Sequence, residues 1–128
     1  MSTMARPALT PASVAGLLGG FRIRFADEGD VQLAIAEILD RGRIAYQREF
    51  RLTARDRLDF LLTDSSIAIE IKIKGRTAEV LRQLERYAGH EFIAGLVLVT
   101  TRRLQAAQMP DSLNGKALAV ALIGGLGL

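Results

Sequence analysis

The chain has 128 residues, 49% of them hydrophobic and 24% charged, a mix that suits one globular domain with a core of its own. It has no cysteine and a single histidine, His90. This excludes disulfides, thiolate metal sites and multi-histidine zinc centres, and argues against a Ser-His-Asp triad. The net charge of +3 is unevenly placed: residues 1–69 carry nine basic and nine acidic side chains, residues 70–128 eight basic and five acidic. The excess in the second part suits a polyanionic partner.

In chain order, residues 1–20 read as a flexible or loosely docked arm and residues 21–128 as the domain. No apolar run is long enough to span a bilayer, and the start has no clear cleavage site, so no membrane association is expected and the cytoplasm is the default location. FRIRF (21–25) reads as a short strand or an extended lead-in. Asp27 or Asp30 would cap a helix running to about Arg41, with Val31, Ile35, Ile38 and Leu39 on one face. Glu37 lies outside that stripe. YQREFRL (46–52) and RLDFLLT (57–63) alternate as strands. Asp64-Ser65-Ser66 is turn chemistry, and IAIEIKIK (67–74) returns as the hairpin partner.

The alternation places Ile67, Ile69, Ile71 and Ile73 on one face and Ala68, Glu70, Lys72 and Lys74 on the other. A two-residue turn puts Asp59 on that second face, opposite Glu70 or Lys72 according to which residues form the loop, and Leu58, Phe60 and Leu62 with the isoleucines. Two adjacent carboxylates repel. A divalent cation would reverse the sign, and a neighbouring ammonium would orient water or stabilise a phosphate oxygen. The bland reading is a set of surface charges on a solvated strand. Further on, Thr77 would cap a helix whose stripe is Val80, Leu81, Leu84, Tyr87 and Ala88, stopping at Gly89. GLVLVTT (95–101) reads as a strand covered on both faces, Pro110 and Asn114-Gly115 as loops, and KALAVALI (116–123) as a last strand.

Asp59 followed by Glu70-Ile71-Lys72 resembles the D…ExK core of the PD-(D/E)xK, restriction endonuclease-like, nuclease superfamily. Gln83-Leu84-Glu85-Arg86-Tyr87 is similar to the QxxxY motif of its RecB-like branch. The likeness covers roughly residues 28–102. It implies a single-domain α/β core with a mixed sheet flanked by helices, in the order αβββαβ. It also implies hydrolysis of DNA phosphodiester bonds in repair, recombination or a mobile-element or phage context.

By the same resemblance, Asp59, Glu70 and the Ile71 backbone carbonyl would hold Mg²⁺ or Mn²⁺. Glu37 would complete the set, with Glu49 as competitor, and Lys72 would position the attacking water. Gln83 and Tyr87 would steady the site and contact nucleic acid, with packing the other role open to Tyr87. Lys74, Arg76, Arg82, Arg86, Arg102 and Arg103 would track phosphates, or be ordinary solvated cations. His90 is expected to be structural or exposed. A core of this size suggests a homodimer or a partner subunit, and the apolar tail AVALIGGLGL a covered edge or interface. The alternative is a catalytically inactive nuclease-fold protein that binds nucleic acid or a partner subunit.

Overall fold

The computed structural model describes residues 8–124. Nothing of the expected arm before residue 8, or of the tail after residue 124, falls within it. The elements are α1 (Pro11–Gly19), α2 (Glu28–Arg41), β1 (Tyr46–Arg51), β2 (Arg57–Leu62), β3 (Ile67–Ile71), α3 (Thr77–Ala88), β4 (Gly95–Thr100), α4 (Arg103–Ala107), β5 (Ser112–Leu113) and β6 (Lys116–Leu122). The fold is a single-domain mixed α/β arrangement, with one six-stranded sheet in the order β1-β2-β3-β4-β6-β5.

β1, β2 and β3 form an antiparallel meander, β3-β4-β6 a parallel centre, and β5 closes back on β6. The reason is local. Thr63 to Ser66 reverse the chain with Ser66 N–H on Leu62 O. The β3-to-β4 connection is a crossover through α3, which a parallel pair requires. At the last hairpin, Asn114 and Gly115 both take positive φ (50° and 77°), as a two-residue primed turn requires.

Each face of the sheet has its own core. Val14 and Leu18 of α1 and Val31, Ile35 and Leu39 of α2 pack on Phe60, Leu62, Ile67, Ile69, Ile71, Val97 and Val99. Val80, Leu84, Tyr87 and Ala88 of α3 pack on Leu61, Ala68, Leu96, Leu98 and Leu118. β3 and β4 are buried along their whole length, as central strands covered on both faces must be.

The structure decides between several of the stated alternatives and corrects other expectations. Residues 11–19, inside the stretch read as an arm, form a helix that buries Val14 and Leu18 completely against β4 and β6. Its start is specified locally: Thr10 and Ser13 form a reciprocal capping box, with proline as the first helical residue. Residues 21–25 are an extended lead-in with an isolated bridge at Ile23. α2 is capped by Asp27, whereas Thr77 is the first helical residue of α3 and Arg76 the uncapped boundary. Leu58 joins the α3-side core, not the isoleucines. Among the described residues no helix is long and apolar enough to cross a membrane.

α1 sits on β4 because Gly95 lets it approach. A Cβ at Gly95 would lie 2.6 Å from Pro11 Cγ, a separation that forces the helix outward. Gly95→Ala is therefore expected to destabilise the fold by about 1–3 kcal/mol in urea unfolding. Pro11→Ala in the same chain removes the obstructing ring and should restore most of that loss.

Candidate functional site

The ladder between β2 and β3 runs Leu62–Ile67, Leu61–Ala68, Phe60–Ile69 and then stops. In this register Asp59 faces Glu70, the first of the two hairpin alternatives. The pair does not complete the ladder. Instead, the Ile71 N–H donates to Asp59 Oδ2 at 2.7 Å and the Asp59 N–H to Glu70 Oε1 at 3.4 Å. The two carboxyl groups thus fill the gap where the strands part and accept bonds that the backbone would otherwise lose. Glu70 is only 3% exposed, beneath α3 rather than in water. Lys72 Nζ lies 3.6 Å from Glu70 Oε2, with the lysine side chain 27% exposed.

Burial, together with the neighbouring Asp59 charge, pushes the Glu70 carboxyl up to about 8, while Lys72 pulls it down. Asp59 is also raised, chiefly by burial, against the bond from Ile71 and the Lys72 charge that lower it. Both groups are thus protonated more readily than free carboxyls.

Two α2 residues that periodicity did not single out also reach this region. Gln32 Nε2 donates to Asp59 Oδ1 at 3.3 Å, and its Oε1 accepts from Arg48 at 2.6 Å. Glu28, in the first turn, accepts from the Ile73 N–H at 3.1 Å, and its charge contributes to raising Asp59. The sequence does hold a signal for the two together, since Glu28 and Gln32 are four apart in α2 and therefore share a face.

Glu37 is elsewhere. It is 70% exposed and paired with Arg41 on the outer side of α2. Glu49 is paired with exposed Arg57 at 3.6 Å and takes a positive φ of 50° in β1. Neither completes a site with Asp59 and Glu70. Among the described residues no group of three or more His, Cys, Asp or Glu could hold a metal ion.

That finding overturns the reading of this chain as a Mg²⁺- or Mn²⁺-dependent nuclease or hydrolase. The Ile71 main chain does face the gap, as its N–H shows, but beside two carboxyl groups already engaged in backbone bonds, and Glu28 of α2 is likewise engaged by the Ile73 N–H. Lys72 lies against this buried pair, where its charge favours the ionised form of each acid against the burial that opposes it.

Gln83 and Tyr87 come together as their spacing requires: Gln83 Nε2 donates to the Tyr87 hydroxyl at 2.6 Å, and that hydroxyl lies 3.3 Å from Arg57 O. Tyr87 is completely buried, so it ties α3 to β2 and has no surface to offer a ligand. Its burial and the nearby Glu70 carboxyl raise its proton affinity.

Arg86 is drawn to Asp56 at 3.0 Å, and Asp56 is itself buried. Periodicity gave no hint of this pair, because Asp56 belongs to the β1–β2 loop. His90 accepts through its carbonyl from Lys116.

The remaining cations converge. A cleft of ≈ 340 Å³ between the end of β3 and α3 is lined by Lys72, Lys74, Gly75, Arg76, Glu79, Val80, Arg82, Gln83 and Arg86. Arg102 reaches its rim, donating to the Gly75 carbonyl. Searches of the chain against models of protein families, curated proteins and solved structures return no match.

The Glu70 shift has a stability consequence with a definite sign. The folded chain keeps a proton that the unfolded chain releases from about pH 4.5, and gives it up only near pH 8. The stabilisation is therefore complete below pH 4.5, declines as pH rises through that window, and is gone above it. Urea midpoints across the range should fall for the natural chain. Glu70→Gln, which keeps the shape and cannot ionise, should flatten the profile.

Proposed function

We propose that this chain is a nucleic-acid-binding protein with a nuclease-like fold, which grips the phosphate backbone in the cleft between β3 and α3 without cleaving it. The observation that carries the reading is the charge of the cleft: five cations, Lys72, Lys74, Arg76, Arg82 and Arg86, against one carboxylate, Glu79. Part of this charge is already used. Lys72 faces Glu70, Arg86 holds Asp56, and Arg76 lies 4.0 Å from Glu79. Among the described residues, Lys74 and Arg82 have no ion-pair partner, and they are the groups available to an incoming anion.

Among the described residues no aromatic side chain lines the cleft. Base stacking is therefore not the basis of recognition, and contacts to phosphate oxygens supply affinity without sequence preference. The order α2, three-strand meander, α3, parallel β4 and the Asp59, Glu70, Lys72, Gln83 and Tyr87 positions support the restriction endonuclease-like part of the reading. In such a core the two carboxyls serve to seal the diverging strands.

The test is fluorescence anisotropy of labelled DNA and RNA, single- and double-stranded, over a salt series. Lys74→Ala and Arg82→Ala should each weaken binding equally across sequences and lower the magnitude of the salt slope by about 1. Arg41→Ala, on the far side of α2, should leave both unchanged. Absence of binding at low salt, or equal losses from all three variants, would reject the reading.

A further inference from the structure

We propose that the outer edge of β6 is the docking surface for a second copy of this chain, by antiparallel strand pairing about a two-fold axis; this does not depend on the cleft. β5 covers only the beginning of that edge, at Lys116 and Ala117. Beyond it, the Leu118 N–H points away from β4 and donates to Asp111 O, while the Ile123 N–H points towards β4 and donates to Thr100 O. Backbone groups alternate sides along a strand, so the N–H and C=O of Val120 and Leu122 point outward with Leu118. Among the described residues nothing pairs with them.

The two edges of this sheet are built differently. β1 at the other edge carries Arg48, Glu49 and Arg51, and its Glu49 takes a positive φ. Charge and an irregular backbone are devices that keep an edge from pairing. Past Lys116, which β5 covers, β6 has neither: from Ala117 to the end of the chain there is no charged residue and no proline. Its side chains are Leu118 and Val120 towards α3 and Ala119 and Ala121 towards α1.

That neutrality is what selects a second copy over a different protein. In a two-fold pairing each strand meets itself, so any charge on it faces a like charge or its near neighbour, at a cost. An edge for a different partner gains by carrying charges that discriminate. The register that uses both outward residues is centred on Ala121. Val120 then exchanges two hydrogen bonds with the second copy's Leu122, and Leu122 two with the second copy's Val120. The contact would also cover Leu122, 40% exposed, and Leu104 of α4, 71% exposed, since α4 packs on β4 and β6.

Sedimentation velocity on the full chain over a concentration series, with amide hydrogen exchange at high and low concentration, tests this. The natural chain should dimerise, with the Val120 and Leu122 amides protected only at high concentration. Leu122→Lys places like charges across the axis at an already exposed position, and Val120→Pro deletes an outward donor without touching the β4 ladder. Each should leave a folded monomer by circular dichroism, and Leu122→Lys carries the test by itself where the proline variant does not fold. A monomer at all concentrations overturns the proposal. So does a dimer that survives Leu122→Lys, or concentration-independent protection of these amides, which would mean the chain covers its own edge.

Discussion

The structure turns on the place where β2 and β3 separate. Ladder bonds hold the two strands as far as Phe60 and Ile69, and from there Asp59 and Glu70 accept the bonds that keep them together. Two carboxyl groups side by side in a buried gap repel as anions, and burial raises that cost. The protein relieves it by holding Glu70 protonated to about pH 8 and by placing Lys72 3.6 Å away. Just past this point β3 runs into its connection to α3, and the cleft lies between that connection and the helix.

The cations around the cleft follow from the same geometry. β3 leaves the sheet after Ile71, and Lys72, Lys74 and Arg76 follow in the connection to α3, where burial of every side chain is no longer required. Arg82 and Arg86 come from the polar side of the helix. One of these cations, Arg86, is recruited into the fold by buried Asp56, a pair that anchors α3 to the β1–β2 loop. The positive surface is thus a mixture of charges that hold the structure and charges, Lys74 and Arg82, that have no ion-pair partner among the described residues.

The carboxylate pair shows how a local pattern acquires opposite meanings. Asp59 and Glu70 do converge, and Lys72 with them, as the hairpin register required. What decides against a metal centre lies outside the hairpin. The acidic residue of α2 anticipated there, Glu37, is on the wrong side of its helix. Glu49 is turned to Arg57, and the residue that bonds Asp59 from α2 is the neutral Gln32. A spacing between two residues on paired strands can be counted from sequence. The direction of a third group on a helix packed over them cannot, because it depends on the helix's rotation and translation on the sheet.

The amino-acid sequence alone determined α2, α3 and the main strands with most of their facial assignment, but not α1, α4, β5 or the face of Leu58. The period-two run at 67–74, the apolar run at 95–101, the stripes of α2 and α3 and the Asn114-Gly115 turn are set by short-range sterics and by which side chains must leave water. It determined the Gln83–Tyr87 contact for the same reason, since one helical turn fixes that distance. It did not reveal the docking of α1, which rests on the close approach of Pro11 to Gly95 eighty-four residues away. Nor did it reveal the Asp56–Arg86 pair, the burial of Glu70 under α3, or which edge of the sheet stays open. These are contacts between elements distant in the chain, and they exist only once the packing of helices on the sheet has fixed which polar groups are sealed from water and must find partners there.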